Sequence, residues 1–96
     1  MAESEVDSLF ELLEKNIQTD NKQAIVGICT RLLGYSHRLD EKTQVSLFVA
    51  KGLALLKLQR YTLAILNVKR AIDINTDKND ELGLQALEYV KMRIME

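Results

Sequence analysis

The chain is predicted to be all-α, a single domain of about five antiparallel helices. Three observations carry that expectation. Its 96 residues include no proline and only four glycines, so little in the composition breaks a helix. Apolar residues recur at steps of three and four along most of the chain. No run of alternating apolar and polar residues stands between turns, so no strand is assigned. At this length one domain, residues 1–96, is the limit. A composition 47% apolar and 28% charged is that of a folded chain.

The first segment spans about Ser4 to Thr19. Val6, Leu9, Phe10, Leu13 and Ile17 lie on one helical face, and Leu12 widens it. Ser4 and Asp7 have the spacing of an N-terminal capping box. The second segment runs from Asp20, with Gln23 completing a similar box, to Leu33. Ile25, Ile28, Cys29, Leu32 and Leu33 form its apolar face, and Gly34 is placed to end it with a left-handed backbone. The short turn Gln18–Asn21 makes the two helices antiparallel neighbours.

A polar connector, Gly34–Asp40, follows, and Asp40 is positioned to cap the next helix. The third segment, Glu41–Leu58, carries Val45, Phe48, Val49, Gly52, Leu53, Leu55 and Leu56. That surface is wider than one stripe, which suits a helix packed between neighbours. The fourth segment, Tyr61–Ile74, turns Ala64, Ile65, Val68, Ala71 and Ile72 inward. Residues 75–78 break it. The fifth segment spans 79–95, with Asn79 as cap, Asp80 and Glu81 in the first turn and Lys91 and Arg93 in the last. This charge order matches a helix dipole.

The chain also repeats itself at a spacing of 34 residues, pairing Phe48 with Leu82, Gly52 with Ala86, Leu55 with Tyr89 and Leu56 with Val90. On these residues Val45–Lys78 resembles one complete tetratricopeptide repeat, a helix–turn–helix unit of that period. Phe48 stands at the family's large aromatic position and Gly52 at its small one. Leu55 stands at the tyrosine-or-leucine position, Tyr61 at the turn aromatic and Ala64 at the small residue of the second helix. Val68 and Ala71 complete the set, and Thr76 replaces the usual proline. Asn79–Met92 resembles the first helix of a further repeat, with residues 79–95 as a closing helix. Residues 4–34 read as a degenerate repeat. Aligning Ala24 with Ala64 gives a spacing of 40 and puts Leu12 at the small position and Arg31 where Ala71 sits.

The resemblance implies a concave groove that binds a peptide or helix of a partner protein, lined by first-helix residues. Here those are Ser46, Val49, Ala50, Leu53, Leu56 and Lys57. The lining is mostly apolar and suits a hydrophobic segment more than an acidic tail. The plainer alternative is that Val49, Leu53 and Leu56 are core, covered by the first or fifth helix. The family's two-carboxylate clamp is not expected. Its positions hold Leu9, Leu13, Ala50, Asp80 and Leu84 in one register, and Val49, Leu53 and Leu84 in the other, with no cation among them.

Other function classes find little footing. The net charge of −1 argues against a nucleic-acid binder. Lys57, Arg60, Lys69 and Arg70 read as a solvated face or as a small patch for an acidic protein surface, with no aromatic platform beside them. One histidine, His37, and one cysteine, Cys29, cannot close a metal site or a disulfide. His37 reads as a loop residue and Cys29 as buried structure. No catalytic residue, metal or cofactor is therefore expected, and no enzyme. No stretch reaches the ~18–20 apolar residues of a membrane span, and the acidic start does not resemble a signal peptide. A cytoplasmic location is the expectation.

The function expected from the sequence is a small adaptor or assembly subunit that binds a partner protein. The alternative is a dedicated chaperone that sequesters a helical client, as small export chaperones of secretion systems do. Helical repeats bury their faces on neighbours and normally need about three units for stability, whereas this chain has one complete repeat, one degenerate pair and one closing helix. It is expected to be marginally stable alone and to complete its surface on a partner protein or a second copy. A thermal midpoint far above the ordinary mesophile range and independent of concentration would contradict that expectation.

Overall fold

The computed structural model describes residues 2–75 and 81–95, with side chains from residue 5 onward. The described residues form five α-helices and no strand, so the chain is all-α. The helices are α1 (Ala2–Gln18), α2 (Lys22–Leu33), α3 (Glu41–Lys57), α4 (Tyr61–Ile74) and α5 (Leu82–Met95). A 3-10 turn, Ser36–Arg38, lies in the connector between α2 and α3. Each helix packs on the next, and α5 also reaches α3. The body measures 44 × 31 × 19 Å. Because a helix with its side chains is about 10–12 Å across, the shortest dimension is two helices deep.

Helix α3 is the centre of this array. It sends Val45, Val49, Leu55 and Leu56 into a core shared with α4 and α5. It sends Leu47 and Ala54 into a second core shared with α1 and α2. A helix apolar on two sides was expected here, but Leu47 and Ala54 were not among the residues read as inward. Seven positions apart, they form a second stripe facing α2, distinct from the stripe on Val45, Val49 and Leu56.

The contact of α3 with α4 is close because Gly52 has no side chain. A Cβ there would lie 2.7 Å from Val68 Cγ2 and 3.1 Å from the Ala64 carbonyl oxygen. Ala64, Val68 and Ala71 are completely buried along the facing stripe of α4. Steps of four and three put these small or β-branched residues in line, so the two backbones approach without a gap.

The turn between α1 and α2 and the turn between α3 and α4 have the same geometry. In the first, Asp20 is left-handed (φ 54°); its N–H donates to Ile17 O and that of Asn21 to Asn16 O. In the second, Gln59 is left-handed (φ 63°); its N–H donates to Leu56 O and that of Arg60 to Leu55 O. Both are Schellman endings without the usual glycine. They place the first hairpin 39 residues before the second, one fewer than the sequence alignment assumed. At 39, Ile25, Cys29 and Leu32 fall on Ala64, Val68 and Ala71, all six of them buried. Leu13, not Leu12, then corresponds to Gly52, and Leu12 is exposed.

Several helix ends differ from the sequence reading. Ser4 lies inside α1 rather than capping it. Asn21, not Asp20, caps α2, its side chain accepting from Ala24 N–H. Asp20 is committed to the left-handed turn. Gly34 is right-handed, φ −64°, because the chain continues into the 3-10 turn instead of reversing. Ile17 is half-exposed, since α1 ends just beyond it. Helix α5 begins at Leu82, so Glu81 precedes it, and its carbonyl accepts from Gln85 N–H. The expectations for Thr76, Asn79 and Asp80 lie outside the described residues. Asp40 caps α3 as expected, Oδ1 accepting from Thr43 N–H at 2.7 Å.

Two predictions follow from this packing. Gly52→Ala introduces a contact that Val68 and the Ala64 backbone must yield to, at a cost of about 1–3 kcal/mol that exceeds the helix-propensity gain. Gly27 sits in α2 with nothing within 4 Å of its missing Cβ. Gly27→Ala should therefore stabilise by about 0.5–1 kcal/mol. Thermal melts should move in opposite directions, and a Gly52→Ala variant that gains stability would refute the close-approach account. The second prediction concerns Asp40. The hydroxyl and N–H of Thr43 hold its carboxyl below the usual value of 3.8. A lowered pKa gives a contribution that is full above the unfolded value and lost as pH falls through the folded one. Asp40→Asn keeps an uncharged cap, so it should melt near wild type at neutral pH and lose less stability than wild type in acid. Identical acid profiles would show that this cap is not titrating.

Candidate functional site

Helix α3 is covered by α2, α4 and α5 on three sides and, among the described residues, is open on the fourth. Ser46, Ala50, Leu53 and Lys57 mark that side at steps of four, three and four. Ser46 and Lys57 are exposed, and Ala50 and Leu53 are half-buried. Val49 and Leu56, also expected in the groove, are 5% and 7% exposed. They are members of the core under the groove, and their edges form its floor. The sequence offered both readings of Val49, Leu53 and Leu56, and they divide: Leu53 is reachable and the other two are core.

Three connected depressions lie along this side. The first, ≈ 330 Å³, runs between α3 and α5, with Val49, Leu53 and Ala86 as floor and Leu82, Gln85 and Tyr89 as far wall. The second, ≈ 200 Å³, lies between α3 and the α1–α2 hairpin, bordered by Ile17, Ile25, Ala50 and Ala54. The third, ≈ 350 Å³, lies at the end of the array, between Lys22, Leu56, Tyr61 and Arg93. Lys57 lines all three. Leu53 is shared by the first two and Tyr89 by the first and third.

Charge is unevenly spread along this surface. The first depression has one charged lining residue, Lys57. The third has three, Lys22, Lys57 and Arg93, and no carboxylate among its described lining residues. Asp20 stands beside it. Its Oδ2 lies 3.0 Å from Lys22 Nζ and its Oδ1 3.4 Å from Lys57 Nζ. Hydrogen bonds from Lys22 and then Lys57 hold its carboxyl below the usual carboxylate value. The left-handed turn at Asp20 brings this carboxylate from the end of α1 to the end of α3. On the other flank the Arg93 guanidinium lies 6.0 Å from the centre of the Tyr89 ring.

Lys22, Leu82, Tyr89 and Arg93 were not read as site residues from the sequence. Leu82 and Tyr89 were aligned with Phe48 and Leu55, hence as packing residues. Leu82 is 38% and Tyr89 48% exposed, whereas Leu55 is buried. Helix α5 buries Gly83, Ala86 and Val90 on α3 and α4, which leaves Leu82 and Tyr89 at the margin of that face. Ala86 and Val90 do match Gly52 and Leu56 in burial. The missed signal was topological: in an up-and-down array the ends of α1, α3 and α5 and the starts of α2 and α4 share one end.

The remaining candidates have bland surroundings. His37 is exposed in the 3-10 turn. Cys29 is fully buried, and burial pushes its thiol up to about 11, far from a reactive thiolate. Lys69 and Arg70 are exposed on α4, outside the three depressions. Among the described residues no helix is long and apolar enough to cross a membrane.

No family model, no curated protein and no solved structure matches the chain.

Proposed function

We propose that this chain is a protein-interaction module, a small adaptor or assembly subunit related in design to tetratricopeptide repeats, that holds a segment of a partner protein along the open side of α3. It acts by binding and not by catalysis. The observation that carries the reading is the apolar depression between α3 and α5. Its exposed walls, Leu82 and Tyr89, sit opposite Leu53 over a floor of core side chains. Such a surface gains by burying aliphatic and aromatic area, at roughly 25 cal/mol per Å² removed from water. The helices beneath it are held by two cores, so the groove is preformed and little ordering is needed on binding. The resemblance of Val45–Lys78 to a tetratricopeptide repeat points the same way, as does the recurrence of one hairpin geometry at a spacing of 39 residues.

The chaperone reading draws on a different observation. Met92 and Met95 on α5 are 68% and 85% exposed. Flexible, polarisable methionines suit a surface that accepts varied apolar clients. In that case the isolated chain should lose solubility when its client is removed, whereas an adaptor should purify alone.

The test is affinity capture with the full chain and with three variants. Leu82→Glu and Tyr89→Glu place a charge in the groove wall at residues exposed enough to leave the fold intact. Leu66→Glu, at an exposed position on α4, is the control. The groove variants should lose their partner while the control keeps it, with circular dichroism confirming helix content in all three. Retention of every partner by both groove variants would sink the groove reading. Val49→Glu is unsuitable for this purpose. It buries an unpaired charge and should cost more than about 4 kcal/mol, enough to unfold a domain of this size.

A further inference from the structure

The three cations at the end of the groove identify the chemistry of the segment it holds. We infer that the partner segment is acidic and amphipathic: an apolar side chain fills the depression between α3 and α5, and an aspartate or glutamate about one turn away sits among Lys22, Lys57 and Arg93. The inference rests on the interaction-module reading and adds a ligand class to it.

Charge complementarity is the first support. The whole chain is slightly acidic, yet the third depression is lined by three cations and by no carboxylate among its described residues. A partner surface carrying the opposite sign gains there both in encounter rate and in register. The second support is geometric. Asp20 already spans Lys22 and Lys57 with its two oxygens, at 3.0 and 3.4 Å, so the two ammonium groups are spaced for one carboxylate. Asp20 approaches them from the α1–α2 turn. It also lines the second depression, and it neutralises one of the two lysine charges, so Lys22, Lys57 and Asp20 together keep one positive charge. The third support is continuity. Lys57 and Tyr89 line both the apolar and the cationic depression, so one segment lying along α3 meets both without leaving the surface. The phenols of Tyr61 and Tyr89 also stand at the cationic end, where each offers a hydroxyl donor to a carboxylate.

This differs from what the sequence alone implied. The α3 lining by itself favours a purely hydrophobic segment, because Lys57 is its only cation. Lys22 and Arg93 come from α2 and α5 and change the sign of one end.

The test is selection from a random peptide library on the immobilised full chain, followed by affinity measurement of the selected peptides as free synthetic compounds. The expected peptides carry an aliphatic or aromatic anchor with aspartate or glutamate three or four residues away. Their affinity should fall with added salt. It should fall about three- to ten-fold on Lys57→Gln or Arg93→Gln in the chain, and by a similar factor when the peptide's carboxylate is replaced by its amide. Lys57 and Arg93 are exposed, so these variants keep the fold, and thermal melts verify it. Peptides that are lost on Leu82→Glu but carry no carboxylate, or that ignore both cation variants, would overturn the inference and leave the groove reading standing. Peptides indifferent to Leu82→Glu, or no enrichment at all, would overturn both. A single-stranded oligonucleotide that binds this end more tightly than the selected peptides would overturn the inference in favour of a nucleic-acid partner.

Discussion

The approach of α4 onto Gly52 is the constraint on which the remaining structure depends. Val68 and the Ala64 carbonyl occupy the space that any side chain at position 52 would take. That contact seals one side of α3 with atoms too close to admit water. It also fixes the rotation of α3 about its own axis. With Gly52 turned to α4, the stripe on Leu47 and Ala54 must face the first hairpin, and the stripe on Val45, Val49 and Leu56 must face the core shared with α4 and α5. The fourth side, carrying Ser46, Ala50, Leu53 and Lys57, is what remains. The groove is thus a consequence of how α3 is oriented by its tightest neighbour, and it inherits the rigidity of the two cores beneath it.

The two hairpins show how far one sequence solution can be reused. Each joins its helices through a left-handed residue that is not glycine, and each satisfies the freed carbonyls with the same pair of hydrogen bonds. A left-handed L-residue costs roughly 1 kcal/mol relative to glycine. At Asp20 the turn residue also makes an exposed ion pair to Lys22 and a second contact to Lys57. The strained turn is therefore also the point where the first hairpin is tied to the end of α3.

Helix number, helix type and the burial of Ala64, Val68 and Ala71 were legible in the sequence, because spacing of apolar residues determines which face a helix buries. The cap at Asp40 was legible for the same local reason: its partner lies three residues away. The turn at Asp20 was not. A capping signal and a left-handed turn residue draw on the same residue types, and the same turn forms at Gln59, which carries no such signal. The register of the first hairpin was misread by one residue, since Leu12 and Leu13 are both apolar and only packing distinguishes them. Leu53 and Lys57 were recognisable as groove residues from α3 alone. Lys22, Leu82, Tyr89 and Arg93 were not, because they reach the site from elements distant in sequence.

The cationic end of the groove has an origin in helix electrostatics. The last turns of α1, α3 and α5 carry Lys15, Lys57 and Arg93 respectively. A cation there is favoured by the partial negative charge of unpaired carbonyls, typically by 0.3–1 kcal/mol on an exposed surface. In an up-and-down array those three helix ends lie together, so a rule that acts on each helix separately concentrates positive charge at one end of the molecule. The starts of α2 and α4 share that end and add the partial positive charge of their free N–H groups. What stabilises single helices therefore gathers cations on one surface once the helices are packed side by side. In the binding mode proposed above, the apolar depression leading to it sets how a segment lies, and the cations at its end set which way that segment points.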